Sequence, residues 1–163
     1  MRRTTFDFPD RLDEALIEAK ETSYVNLQRF VIGRVARTTI FQHPPSRVTW
    51  KSLAIGDSPR LVVFPVIDPS VWDRLGGPVV FRIRVTSAGT ESTVFERALD
   101  PRNRAADQCW REEIVDLSPW QGTSIDLCLR TASPRGQGVA FGWAGWADMR
   151  LEHSVPEPVR PSR

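Results

Sequence analysis

The stretch VVFRIRVT (79–86) alternates residue by residue, with Val79, Phe81, Ile83 and Val85 on one side and Arg82, Arg84 and Thr86 on the other. Side chains of an extended chain point to opposite faces in turn, so this pattern predicts a strand with one face on a core and one in water. SIDLCLRT (124–131) repeats the device, with Ile125, Leu127 and Leu129 facing inward against Asp126 and Arg130. Other candidate strands are Leu27–Ile32, Val35–Gln42, Arg47–Ala54, Arg60–Ile67, Ser92–Leu99, Cys109–Leu117 and Val139–Leu151. Turn-forming strings punctuate them: HPPS (43–46), GDSP (56–59), DPS (68–70), LGGP (75–78), SAGT (87–90), SPWQG (118–122) and SPRGQG (133–138). Short strands at this spacing, with no helical pattern between them, predict an all-β, two-sheet antiparallel β-sandwich.

Ahead of the strands, DRLDEALIEAKE (10–21) places Leu12, Ala15, Leu16 and Ala19 at helical spacing, with acids early and Lys20 late. That predicts a short N-terminal helix. The expected organisation is an N-terminal segment (1–24), a β-sandwich (25–152) and a proline-rich tail or linker (153–163). A chain of 163 residues is long enough to bury one core without staples.

Composition narrows the function classes. The 22 basic and 20 acidic residues are interleaved, as with Arg82 and Arg84 against Glu91 and Glu96, which fits solvated strand faces better than a basic stripe for nucleic acid. The longest apolar run, near Leu61–Ile67, is too short to cross a bilayer. The opening MRRTTFDFPD lacks the apolar stretch of a secretory signal, so the chain is expected inside the cell, or outside it as a piece of something longer. Alternation puts Cys109 and Cys128 on opposite faces, which predicts two free thiols.

Catalytic chemistry finds little footing. His43 precedes a Pro-Pro turn and His153 opens the tail, and neither lies in a Ser- or Cys-centred motif. Two Cys and two His without paired spacing predict no metal site, and no cofactor is expected. Glu112, Glu113 and Asp116 cluster on one predicted strand, and a neighbouring strand would bring Asp126 toward them. The flanking Arg111 and Arg130 favour ionised carboxylates, which does not suit a protonated catalytic acid, so no catalytic residue is assigned.

Six tryptophans are more informative. Trp50, Trp72 and Trp110 sit beside apolar or β-branched neighbours and are expected in the core. For Trp120, in the SPWQG turn, and Trp143, two readings stay open: capping the core, or stacking on the apolar face of a sugar. The proposed ligand patch combines these two rings with Arg135 and Gln137 as partners for hydroxyl groups. A second reading is an interaction module that presents Phe6, Phe8, Leu12 and Leu16 to a larger catalytic or membrane protein.

The string GWAGWADMRL (142–151) resembles the closing motif of the novel carbohydrate-binding module family, with Trp146, Ala147, Asp148 and Leu151 matching a Trp-Ala-Asp-x-x-Leu pattern. VVFRIRVTSAGTESTVFERAL (79–99) is similar to that family's strand-turn-strand pattern. IFQHPPSRVTW (40–50) and WREEIVDLSPWQGTSIDLCLRT (110–131) resemble galactose-binding-like jelly-roll domains. The resemblance covers about residues 32–152. It implies a jelly roll, a non-catalytic accessory role beside a larger bacterial protein, and a glycan as the partner.

Overall fold

The computed structural model describes residues 1–156, 158 and 159. Their strands are β1 (Arg2–Asp7), β2 (Leu16–Ala19), β3 (Val25–Ile32), β4 (Val35–Gln42), β5 (Ser46–Ala54), β6 (Arg60–Ile67), β7 (Val79–Ser87), β8 (Thr90–Leu99), β9 (Glu113–Asp116), β10 (Ser124–Ala132) and β11 (Ala144–Ser154). They form two antiparallel sheets. One runs β3-β4-β11-β6-β9 with β1 also on β11; the other runs β2-β5-β10-β7-β8. This is the expected two-sheet sandwich, and β7 and β10 bury the predicted faces: Val79, Phe81, Ile83, Val85, Ile125, Leu127 and Leu129 all lie in the core.

The N-terminal helix does not form. Pro9–Glu14 is a 3-10 turn broken at Arg11 (φ −115°, ψ 19°), and the chain beyond Ala15 (ψ 147°) is the extended strand β2 on the edge of β5. A lone helix of this length is marginal in water, whereas β2 satisfies its backbone groups in a ladder. Leu12, Ala15 and Ala19 still pack against the core, so the apolar spacing is met by another backbone. The segment supplies a strand to each sheet. Phe8 is fully buried edge-on to Trp50, with ring centroids 4.9 Å apart, and Phe6 packs on Phe8.

Other boundaries shift. Of Cys109–Leu117 only Glu113–Asp116 is strand, and the last strand starts at Ala144 rather than Val139 and continues through His153 to Ser154. Within the expected tail, Glu157 and residues 160–163 lie outside the described residues. Cys109 and Cys128 are both free.

Strand β11 closes the sandwich. It pairs with β4 over Gly145–Ala147 and with β1 over Arg150–Ser154, changing partner at Asp148, which has a left-handed φ of +44°. A Cβ on Gly145 would stand 2.3 Å from Thr39 Cγ2, so only glycine lets β11 and β4 approach this closely. Trp146 is fully buried and donates through Nε1 to Gln42 Oε1 at 2.8 Å. The Gln42 amide in turn donates to the Ser46 and Leu129 carbonyls at 3.0 and 3.1 Å. One buried side chain of the first sheet thus hydrogen-bonds two strands of the second. Losing either partner would strand a polar group in the core, at about 1–3 kcal/mol.

This cross-link lies just beneath one end of the sandwich, where the loops around 43–45, 68–78 and 133–143 meet. Gly76 donates to the Ala140 carbonyl at 2.8 Å, and Gly138 and Gly142 pack on Pro44.

Candidate functional site

The outer face of the five-stranded sheet carries an unusual row. Register alone places Glu18 (β2) opposite Arg47 (β5), Arg47 opposite Arg130 (β10), Arg130 opposite Arg82 (β7), and Arg82 opposite Glu96 (β8). Three guanidinium groups therefore stand side by side, with a carboxylate at each end. Arg82 bonds Glu96 at 3.1 Å, and in the next row Arg84 pairs with Glu91. Among the described residues, no carboxylate lies within ion-pair distance of Arg130. Like charges directly opposed on neighbouring strands cost on the order of 0.2–1 kcal/mol each, so this row opposes the sheet's stability.

Partial burial, and then the guanidinium groups of Arg47, Arg82 and Arg84, hold the Arg130 pKa below the ordinary arginine range. Arginine nevertheless stays charged in proteins, so the crowding leaves Arg130 in need of a counter-anion.

A cleft of about 370 Å³ opens over this row, lined by Arg82, Glu96, Arg130, Ser133, Arg135 and Gly136 among others. Its rim is the 133–138 loop. Gly136 (φ +78°) would bring a Cβ within 3.1 Å of an Arg130 terminal nitrogen, so the loop backbone lies directly against that guanidinium. The loop is held by Gly136 N–H to the Ser133 carbonyl at 2.8 Å and by Ser133 N–H to the Gln137 carbonyl at 2.7 Å. Two smaller hollows, of about 280 and 110 Å³, also have Arg130 and Arg47 in their walls.

The residues expected to form one ligand patch are not all together. Arg135 lines the cleft, and Gln137 lies two residues on in the same loop. Trp143 is at the same end of the sandwich, partly buried against the core, with its carbonyl accepting from Asp68 N–H at 2.9 Å. Trp120 is at the opposite end: it precedes β10, whereas Arg135 follows it, and nine strand residues span about 30 Å. A single patch of all four residues is therefore not formed, because β10 runs the full height of the sandwich between the two turns. Trp120 also packs against the core.

The acids do not assemble either. β9 pairs with β6 in the six-stranded sheet, so Asp126 on β10 is in the other sheet rather than beside Glu112, Glu113 and Asp116. Glu113 pairs with Arg97 of β8, and Asp116 accepts from Ser118 N–H at 2.9 Å. The Ser118 side-chain and backbone hydrogen bonds hold the Asp116 carboxyl below the usual range. Arg130 is not their neighbour but the centre of the arginine row. Both histidines have structural partners: His43 Nδ1 lies 2.7 Å from the Pro44 carbonyl, and His153 accepts from Gly56 N–H at 2.8 Å. Among the described residues, no group of three metal-ligating side chains occurs, and no helix is long and apolar enough to cross a membrane.

No protein-family model and no curated protein matches the sequence. Solved structures do match in fold. The K3 cleaved adhesin domain of Lys-gingipain from Porphyromonas gingivalis has a TM-score of 0.59 at 12% identity, over 94% of this chain and 100% of that one. TmCBM61, in complex with β-1,4-galactotriose, has a TM-score of 0.56 at 9% identity, over 91% and 97%. The CBM51-2 and INT domains of Clostridium perfringens ZmpB give 0.55 at 16% identity; 94% of this chain is covered, which spans 29% of that one. The chain thus shares its fold with these carbohydrate-binding-module and adhesin-domain structures. The Trp146-Ala147-Asp148 string that resembled such modules serves that fold in the closing strand: Trp146 fills the core, and Asp148 bonds Arg37 at 2.8 Å.

Proposed function

We propose that this chain is a non-catalytic carbohydrate-binding accessory domain. The observation that carries the reading is the loop-rimmed cleft over the outer face of the five-stranded sheet. It is large enough for one or two sugar rings and offers donors from Arg82, Arg130 and Arg135 and hydroxyl-binding groups from Ser133 and Glu96. The fold likeness to modules solved with bound sugars, such as TmCBM61 with β-1,4-galactotriose, supports it. Within this reading Arg135 contacts ligand directly, Gln137 extends the rim loop, Trp143 packs on the apolar clusters at the same end of the sandwich, and Trp120 caps the far end of the core. Candidate carboxylates split between two sheets, with Glu113, Asp116 and Asp126 held by structural partners and Glu112 exposed, fit a domain without hydrolytic chemistry.

A glycan array followed by titration calorimetry tests the proposal. Binding is expected at ~10⁻⁴–10⁻³ M, since each sugar hydroxyl gives up water for the bond it gains. Loss of that binding in Arg135→Ala supports the cleft; no binding across plant, bacterial and host glycans refutes the proposal.

The second reading, a module of a larger protein, is compatible with the first: the ZmpB structure joins its module to a further domain. The N-terminal apolar residues do not form its contact surface, because Phe8 is buried, Phe6 and Leu12 pack inward, and only Leu16 is exposed.

A further inference from the structure

Resting on the carbohydrate reading and going beyond it, we propose that the cleft takes an acidic glycan, with a carboxylate or sulfate ester of one sugar seated between Arg130, Arg82 and Arg135. Three independent observations converge on the same few atoms. The cross-strand row Arg47–Arg130–Arg82 concentrates cations where the sheet gains nothing from them. Among the described residues, Arg82 alone of the three has a carboxylate within ion-pair distance, Glu96 at 3.1 Å, which leaves Arg47 and the central Arg130 without one. The cleft opens at that middle guanidinium, and a third cation, Arg135, reaches it from the rim.

A guanidinium presents paired N–H donors in a planar fork that matches the two oxygens of a carboxylate or sulfate. Arg130 is fixed for this use, held in a strand and covered on one side by the Gly136 backbone. Glu96 is the one acid in the cleft, and its pairing with Arg82 leaves the positive field of Arg130 and Arg135 uncompensated. A neutral sugar would satisfy hydrogen bonds here but not the charge. An oxyanion satisfies both and relieves the repulsion within the row.

The experiment is calorimetry on the whole chain with matched oligosaccharides: oligogalacturonates against their methyl esters, and sulfated against desulfated galactan fragments. Inorganic sulfate and a DNA duplex are run in parallel. The acidic member of at least one pair should bind tenfold or more tighter than its neutral partner, and raising the salt from 50 to 500 mM should erode most of that difference. Arg130→Gln should abolish the preference while leaving the melting temperature of the unliganded protein unchanged or higher, because a repulsive neighbour has gone. Arg135→Gln, in a surface loop where misfolding is no concern, should cut the preference at least threefold.

Equal binding of acidic and neutral partners overturns the anion inference and leaves the carbohydrate reading standing. Binding of no oligosaccharide of either kind overturns both. Sulfate alone or DNA binding as tightly as the best glycan also overturns the inference, since the row would then be a general anion patch. So does a destabilised Arg130→Gln that keeps its preference.

Discussion

Each sheet holds an arginine at the middle of its outer face, and the two are treated in opposite ways. On the six-stranded sheet the Arg37 guanidinium lies 3.8 Å from the Phe64 ring centroid and 5.3 Å from that of Trp110, and it donates to Asp148 at 2.8 Å. Phe30, Phe41, Phe64, Val66 and Ala147 form a second small core around it. On the five-stranded sheet Arg130 has arginines on both sides and a cleft above. A covered, paired arginine is part of the fold. One left without a carboxylate among like charges opposes the fold, and that is the group to which the proposed acidic ligand is assigned.

The largest expected effect falls on both faces at once. Removing residues 1–24 takes β1 from one sheet, β2 from the other, and Phe8 from the core. Losing Phe8 alone is worth about 3–5 kcal/mol, comparable with the whole stability of many domains. The truncated chain is therefore expected to be unfolded by circular dichroism and proton NMR; a folded truncation would mean that the sandwich proper starts near residue 25.

Making the same substitution on each face tests the comparison directly. Arg37→Met keeps the aliphatic stem but removes the ion pair and the cation–π contacts, and should cost about 2 kcal/mol in urea denaturation. Arg130→Met should stay within about 0.5 kcal/mol of the parent, or stabilise it. Equal costs for the two would show that Arg130 is structural and break the contrast.

Acid sensitivity should also belong to the six-stranded sheet, through β11. Burial holds the His153 pKa below its ordinary value, in a site where Nε2 accepts from Gly56 N–H and Nδ1 lies 2.6 Å from Thr5 Oγ1. A depressed histidine pKa means the folded state resists the proton more than the unfolded chain does. Its contribution is full above about pH 6.5 and is lost as the pH falls from there through the folded-state value. Glu152 acts in the same direction lower down. Burial disfavours its charge, but hydrogen bonds from Arg60 and Arg150 prevail and hold its carboxyl below the usual range, so its contribution fades below about pH 4.5. Melting temperature should thus fall in two stages on acidification, and His153→Gln should remove the first. A first stage that survives in His153→Gln would assign it elsewhere.

Alternation made much of this legible from the chain alone. The inward faces of β7 and β10 were readable because a strand half in water must alternate, and Trp50 was readable from its apolar neighbours. The same alternation sends Arg47, Arg82 and Arg130 outward. Whether they meet depends on the register of β10 with β5 and with β7, whose paired arginines lie 83 and 48 residues apart, and no local pattern encodes that, so interleaved charges read as a mixed surface. Trp120 and Arg135 look like one patch for the converse reason: both sit in loops flanking β10, and sequence proximity hides the strand between them. The N-terminal stretch misled because Leu12, Ala15 and Ala19 suit a helical face and a sheet edge equally well, and only the neighbouring β5 decides.

The smallest effects are expected at the acids in and just before β9, where the comparison takes a finer form: three carboxylates within five residues, each in a different position. Glu113 pairs with Arg97, and because β9 and β8 are edge strands of different sheets, this bond ties the sandwich together along its open side. Glu113→Gln keeps the shape and some hydrogen bonding, so the loss should be no more than about 1 kcal/mol, at the upper end for a partly exposed pair. Asp116 shapes the turn into Ser118 by accepting its backbone N–H; an asparagine can still accept there, so Asp116→Asn should cost less than Glu113→Gln. Glu112 is exposed, and its amide should be indistinguishable from the parent in chemical denaturation. If the rank order were reversed, the edge-to-edge tie would not be what Glu113 contributes. If any one of the three amides abolished a measurable glycoside hydrolysis by the parent chain, these carboxylates would be catalytic, and the domain would be an enzyme.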